Sequence, residues 1–289
     1  MMLFDASASC DTNHSGPERI LPKLFIVMVD KEFNLCLNSI MKIQIAGYGF
    51  VGKAQELILK DYYDVVVYDP ELGYNKWHND ADAHIICVST PPRPDGSCEM
   101  ANVFNVCELI DDSKPILIKS TISVEGWEAL SDTYPSQLVC FSPEFLRQAH
   151  WQDDAKNQKV VYLGGNCVNF WSEVFITALG EIGIAVEEPR ALVAAKAFRN
   201  AFLATKVTFF NQVYDYCKAY GLDYTDVQHF ISADERIGHS HTQVTEERGF
   251  GGHCFPKDMR AIKKSAQRNN VRLTLIEEAL EYNNTIRKS

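Results

Sequence analysis

MKIQIAGYGFVGKAQELILKDYYDVVVYDP, from Met41 to Pro70, is the stretch on which the fold turns. A short apolar strand with Ile43 and Ile45 runs straight into Gly47-Tyr48-Gly49-Phe50-Val51-Gly52; an amphipathic helix follows, and VVVYD supplies a second strand. A bare GxGxxG carries little weight. One that follows a strand, opens a helix and is answered about twenty residues later by an acidic residue has the setting of a dinucleotide-binding turn. Gly47 permits the tight turn, Gly49 lets a pyrophosphate approach the backbone, and Gly52 lets helix and strand pack closely. The N-terminus of the helix stabilises the phosphate charge. Asp69 is the acidic residue. It would accept hydrogen bonds from the adenosine ribose and its charge would repel a 2′-phosphate, so the expected cofactor is NAD and not NADP.

The alternation continues. AHIICVSTPP is a nearly continuous apolar strand ending in Ser89-Thr90-Pro91-Pro92, VFNVCELIDD is helical, and PILIKST is a strand ending at Thr121. QLVCFSPEFL brings a further strand up to Pro143-Glu144-Phe145, and VVYLGG adds one more. Apolar strands separated by helices imply an α/β fold with a Rossmann-like, doubly wound parallel sheet, expected over residues 41–187. Ligands of such sheets sit at the carboxyl ends of the strands, where Thr90, Thr121 and Glu144 would lie; each could instead cap a helix. Residues 1–40 read differently. They are polar and irregular, and LFIVMV (Leu24 to Val29) is too short for a signal-peptide core and is followed at once by Asp30 and Lys31. An N-terminal extension outside the fold is expected there.

The rest of the composition narrows the function. The chain has 289 residues, 46% hydrophobic and 23% charged, which is globular composition with enough length for a sizeable core. The formal net charge is -10 and no block of lysines and arginines stands out, so no nucleic-acid partner is expected. No apolar run approaches the roughly eighteen residues needed to span a bilayer, so no membrane partner is expected. The nine cysteines are odd in number and contain no CxxC pair. They point to neither a disulfide framework nor a zinc module, and a cytoplasmic location fits them best.

From Pro189 the chain runs without glycine or proline to Gly221, which predicts one helix about 45 Å long at ~1.5 Å per residue. Lys196 and Asn200 stand four apart on one face, as do the small residues Ala197, Ala201 and Ala204. A helix of this length bridges two domains or builds a dimer interface; residues 188–289 are expected to form it together with a small all-helical dimerisation domain. RGFGGHCFPKD, from Arg248 to Asp258, then raises the question of what Cys254 does. It reads as a nucleophile, as a metal ligand beside His253, His239 and His241, or as a small buried residue. Adjacent side chains seldom converge on one ion and no paired ligand spacing is present, so no metal is expected.

The sequence resembles the nucleotide-sugar dehydrogenase family: the UDP-glucose, GDP-mannose and UDP-N-acetylmannosamine dehydrogenases. The motifs that carry the resemblance are GYGFVG, STPP with DG shortly after, IKST, SPEFL, KAFRNAFLATK, DERIG and GFGGHCFPKD, in that order from Met41 to the end. The last is the most specific, because the family's nucleophilic cysteine sits in such a segment. The resemblance implies four-electron oxidation of a sugar's primary alcohol to a carboxylate, with UDP-glucose the first expected substrate. An aldehyde can lose a second hydride only after a nucleophile makes it tetrahedral, and a thiolate does this through a thiohemiacetal and a thioester. By resemblance Cys254 is that nucleophile, its thiolate favoured by nearby cations. Lys196 offsets the alkoxide charge, Asn200 helps hold that oxygen or a water, and Asp258 assists proton transfer. Glu144 and Thr121 serve the water. Phe145 and Gly251 belong to the substrate wall, and Arg236 reaches the sugar nucleotide, often in a neighbouring subunit's site. Lys257 contacts phosphate or is solvated. A homodimer through the long helix is implied.

Two departures from the family stand out. Its PEFL segment commonly continues to a second acidic residue, where this chain has Gln148, a neutral amide that cannot act as a base. Family members also carry a further α/β domain that covers the nucleotide, whereas this sequence stops at Ser289, after a segment resembling the helix that leads to it. The alternative to the full reaction is therefore an NAD-binding protein with partial, aldehyde-forming activity or none.

Overall fold

The computed structural model describes residues 24–25, 40–252 and 254–288. The first half is a doubly wound sheet. Strands β1 (Leu24–Phe25), β2 (Lys42–Ala46), β3 (Asp64–Tyr68), β4 (Ala83–Ile86), β5 (Ile116–Ile118), β6 (Val139–Phe141), β7 (Val160–Gly165) and β8 (Gly183–Val186) form one sheet in the order β1-β8-β7-β6-β5-β4-β2-β3. Helices α1 (Phe50–Leu59), α2 (Ala101–Cys107), α3 (Val124–Thr133), α4 (Trp151–Lys156) and α5 (Val168–Leu179) connect the strands. The chain leaves β2 for β3 on one side and crosses back to β4 on the other, so the strand order reverses at β2 and a crevice opens beyond its carboxyl end.

Strand residues alternate between two cores. Ile43, Ile45 and Leu117 pack with Leu59, Trp171 and Phe175 on one face, and Ile116, Ile118 and Phe141 pack with Val103, Trp127 and Leu192 on the other. Burial on both faces is why these strands read as continuous apolar runs.

Parallel pairing does not hold throughout. β2 to β6 are parallel, but β7 pairs with β6 antiparallel, with Cys140 opposite Gly165 and Phe141 opposite Gly164; β8 then runs parallel to β7. Between β6 and β7 the chain makes only a short turn of helix and α4 at one edge of the sheet, too little to cross back to the other. Leu24–Phe25, within the segment expected to stand outside the fold, pairs antiparallel with β8; the rest of residues 1–39 lies outside those described.

The reversal has a consequence for α6 (Pro189–Tyr220). Because β8 ends at the edge where β2 to β6 begin, α6 starts at that edge and climbs past β6 and β7 toward the carboxyl ends. Seven residues along, about 10 Å at ~1.5 Å each, Lys196 stands level with those ends. The Glu188 carboxylate caps the helix by accepting from the amides of Arg190 and Ala191, and Gly221, with φ +68°, closes it. Beyond the sheet α6 packs with α7 (Tyr224–Ser232), α8 (Cys254–Arg268) and α9 (Thr274–Ile286), and with α8 and α9 it encloses a third core. Ala201 and Ala204 are buried there against Phe250, Met259, Ile262 and Ile276, so the small residues of α6 admit α8 and α9 of the same chain.

The antiparallel joint yields a stability prediction. A Cβ on Gly165 (φ +131°) would lie 2.2 Å from the Val139 carbonyl oxygen, whereas one on Gly180 (φ +71°) would meet nothing within 4 Å. Gly165→Ala is expected to destabilise by about 2–4 kcal/mol and Gly180→Ala by about 1 kcal/mol. Parallel thermal unfolding of the two variants checks the ranking.

Candidate active site

The site is a cleft of about 1740 Å³ running along the carboxyl ends of the strands to the N-terminus of α8. Cavities for a single small ligand span about 300–1,000 Å³, so this one accommodates two.

One end is built by the glycine turn. Gly47, Tyr48, Gly49, Phe50, Val51, Asp69 and Thr90 all line it, while Gly52 is buried beneath, its α-carbon so close to the Gly47 carbonyl oxygen that a Cβ would sit 2.1 Å away. Gly49 is the N-cap of α1, no side chain caps that helix end, and a Cβ on Gly49 would find no atom within 4 Å. The first amides of α1 therefore face open space, which is the cradle a pyrophosphate needs. The Asp69 carboxylate accepts from Tyr48 N (2.7 Å) and from Leu72 N (3.3 Å), tying the turn to the end of β3. Thr90 is buried and donates to the Thr121 carbonyl oxygen (2.5 Å), joining the ends of β4 and β5.

The other end is a buried charge cluster. Lys196 Nζ donates to Thr121 Oγ1 at 2.5 Å and lies 3.9 Å from Asp258 Oδ2. Asn200 Nδ2 donates to the same carboxylate at 2.7 Å, and Lys257 Nζ stands 2.8 Å from Asp258 Oδ1. Lys257, read from the sequence as either a phosphate contact or a solvated charge, is thus set against Asp258 with its ammonium buried. Asp258 is 1% exposed. Burial alone would raise its pKa, but the ammoniums of Lys196 and Lys257 and the hydrogen bond from Asn200 outweigh burial and hold the carboxyl below its ordinary range. Two ammoniums against one carboxylate leave a net positive charge, suited to an oxyanion.

Cys254 opens α8 beside this cluster, half-buried and lining the cleft. The expectation of a favoured thiolate is corrected here. Burial pushes the thiol's pKa up, Asp258 and Glu144 add to that, and the pull of Lys196 and Lys257 in the other direction is not enough. The balance favours the thiol over the thiolate.

Glu144, Phe145 and Gly251 line the cleft, with Glu144 Oε2 accepting from Leu146 N (2.8 Å). Gln148 lies on its exposed rim. Arg236 does not line it; its guanidinium is ion-paired with Asp234 and stands 88% exposed. His253 lies outside the described residues. Among the described residues no group of three or more histidine, cysteine or acidic side chains could hold a metal, and no helix is long and apolar enough to cross a membrane.

The residues that hold the cysteine segment were missed in the sequence. Asn211 Oδ1 accepts from Gly249 N (3.0 Å) and from Arg248 Nε (2.9 Å), and Asn283 Oδ1 accepts from Phe250 N (2.7 Å). Arg248 also pairs with Asp215 (2.6 Å), and Arg287 donates to the Arg248 carbonyl (2.9 Å). Asn211 follows Asn200 by eleven residues, three helical turns, so both fall on one face of α6; that spacing was the available signal.

Comparison with known proteins agrees with this geometry. Residues 71–175 match the NAD-binding domain and residues 192–285 the central domain of the UDP-glucose/GDP-mannose dehydrogenase family. A UDP-glucose 6-dehydrogenase of Rhizobium meliloti (strain 1021) is 26% identical over 86% of this chain and 69% of its own length. One of Pseudomonas aeruginosa is 28% identical over 81% of this chain and 55% of its own length. The chain therefore spans between about half and seven-tenths of such relatives. Among solved structures, a UDP-glucose dehydrogenase of Pyrobaculum islandicum superposes with a TM-score of 0.76 at 21% identity, over 90% of this chain and 70% of that one. A UDP-D-ManNAc dehydrogenase of Pyrococcus horikoshii gives 0.71 at 20%, over 85% and 69%. The cofactor is NAD, and the uncapped amides of α1, the open face of Gly49 and the carboxylate of Asp69 fit it.

The cysteine's environment predicts its reactivity. Alkylation of Cys254 by iodoacetamide, followed by peptide mass spectrometry, should rise with pH to a midpoint above the ordinary thiol value of about 8.5. Lys196→Met removes the largest opposing charge and should move that midpoint further up. A native midpoint below the ordinary value would contradict this account of the site.

Proposed function

The chain belongs to the UDP-glucose/GDP-mannose dehydrogenase family, and from that premise we propose that it oxidises the primary alcohol of a nucleotide sugar to a carboxylate, with UDP-glucose the first candidate. The observation that carries the reading is one cleft with two ends: an open dinucleotide turn at one, and Cys254 beside a net-positive buried cluster at the other. Bound at the turn, NAD supplies what side chains lack, accepting a hydride in each of the two oxidations.

The chain's own residues do the rest. In the first oxidation the alcohol proton leaves through water toward the Asp258 carboxylate and on to solvent, while the Lys196 ammonium opposes negative charge on the substrate oxygen; Thr121 fixes the ammonium and Asn200 the carboxylate. Once an aldehyde is present, Cys254 Sγ attacks its carbon. A C–S bond forms, the carbonyl electron pair moves to oxygen beside Lys196, and the thiol proton leaves toward the Asp258 carboxylate through water. The resulting thiohemiacetal is the second species oxidised, giving a thioester. Water positioned by Glu144 adds to that carbonyl and the C–S bond breaks; one water proton goes to the sulfur and the other through Glu144 to solvent, so the thiol and the sugar carboxylate are released. Because burial favours the thiol over the thiolate, the second oxidation needs the loss of this sulfur-bound proton, and the first does not.

Purified protein given NAD and UDP-glucose, UDP-N-acetylmannosamine or GDP-mannose should form two NADH per sugar on its substrate. Cys254→Ser should lower acid formation at least about 1,000-fold, as loss of a covalent nucleophile does. No NADH from any nucleotide sugar, with NAD still bound, would sink the reading.

The same proposal includes a homodimer through α6. Phe198, Phe202, Phe209, Tyr216 and Tyr220 are exposed, and at about 100° per residue they fall within about 40° of one another, along roughly 33 Å of helix. An exposed aromatic stripe of this length is an interface feature, and the opposite face of α6 is already filled by α8 and α9. The exposed Arg236, turned away from its own cleft, supports a role across that interface. Paired Phe202→Glu and Phe209→Glu substitutions should convert a dimer to monomers by sedimentation equilibrium; an unchanged mass would place the interface elsewhere.

A further inference from the structure

Arg199 is a charged residue of the cleft that the reaction above leaves without a task. It follows Lys196 by three positions on α6, so it lies about one turn further from the sheet, on the same side of the cleft. Its guanidinium carbon stands 4.2 Å from the centre of the Phe145 ring, and Phe145 packs edge-on against Tyr162, ring centres 5.9 Å apart. A guanidinium this close to a ring face makes a cation–π contact, which favours one placement of the side chain. Its N–H edge is unused. Among the described residues no carboxylate lies within 4.0 Å of Arg199, and none of its donors makes a hydrogen bond.

Three other cations near it are engaged. Lys196 and Lys257 face Asp258, and Lys206 donates to the carbonyls of Ile237 (2.7 Å) and Gly238 (3.1 Å). The charges of Lys206 and Arg199 both reach His241, which also lines the cleft, and with burial, the largest cause, they keep its imidazole neutral. Arg199 is therefore an exposed, uncompensated positive charge at one wall of the cleft, placed against Phe145. A guanidinium fork of this kind matches two oxygens of a phosphate better than any neutral group.

The position also fits the shape of the substrate. A hexose whose primary alcohol carbon meets Cys254 carries its anomeric oxygen, and hence its diphosphate, at the opposite end of the ring, away from the Lys196 cluster. The pyrophosphate of the cofactor has its own cradle at α1, formed by different residues. We propose that Arg199, held against Phe145, binds the diphosphate of the nucleotide sugar and so selects a nucleotide-linked sugar over a free one. This rests on the reading of the substrate as a nucleotide sugar.

The test uses the full chain with Arg199→Gln and Arg199→Lys, and two separate readouts. UDP alone, titrated by calorimetry, reports binding without turnover. Arg199→Gln should weaken UDP about 10- to 100-fold, the range of a charge-assisted contact, with Arg199→Lys in between. In turnover the KM for the nucleotide sugar should rise by a similar factor while kcat and the KM for NAD change less than about twofold. A merely structural role would shift kcat and the NAD constant as well. Free guanidinium ion should restore part of the affinity of Arg199→Ala. If the wild type oxidises a nucleotide sugar and Arg199→Gln binds UDP as tightly as wild type, the assignment of Arg199 is wrong and the function stands. If the wild type neither binds UDP nor oxidises any nucleotide sugar, both are overturned together.

Discussion

The contact between Lys196 and Asp258 joins three parts of the chain that are far apart in sequence. Lys196 comes from the long helix, Asp258 from the helix that Cys254 opens, and Thr121, which accepts from the lysine, from the end of a sheet strand. Both charges are buried, and removing Asp258 would leave the ammoniums of Lys196 and Lys257 uncompensated at a cost of about 3–5 kcal/mol. The cluster therefore forms only when sheet, α6 and α8 are all in place. That dependence makes it a poor stabiliser taken alone and a good positional device. The same atoms that reward correct assembly supply the net positive charge proposed to act on the sugar oxygen.

The reversal of β7 and β8 makes this meeting possible. Had β7 continued the parallel pattern, β8 would end at the carboxyl edge and α6 would leave the sheet there, carrying Lys196 and Asn200 away from Thr121. The glycines at the end of β7 allow the close antiparallel approach, and the chain then enters α6 from the opposite edge. Beyond the sheet, α6 divides its faces. Alanines receive α8 and α9, Asn211 holds the backbone just before the cysteine, and the aromatic stripe remains on the surface.

Much of this arrangement is legible in the amino-acid sequence. The strand–glycine turn–helix–strand–aspartate run has a physical requirement at each step, so Met41 to Pro70 can be read directly, and the proline and glycine flanking α6 mark its ends. Other features depend on long-range pairing that no local pattern encodes. β8 is a four-residue strand between polar turns, and the direction of β7 is set by the length of its connection, not by its own residues. Within the site, the residue types around Cys254 are readable, but their balance is not. Burial of the sulfur depends on how α8 seats against α6, and it outweighs the lysines that were expected to favour the thiolate. Asn211 and Asn283 look like ordinary helix residues until the backbone they hold is placed beside them.

The account's central claim is that Cys254 forms a covalent bond to the sugar carbon within this cluster. The direct test is to slow the water step with Glu144→Gln, incubate the protein with NAD and its nucleotide sugar, quench in acid and measure the mass of the peptide that carries residue 254. The account predicts an adduct on Cys254 with the mass of the sugar acid joined through a thioester, absent without NAD and absent in Cys254→Ser. Accumulation of the sugar acid at the native rate with no adduct on Cys254 would contradict it.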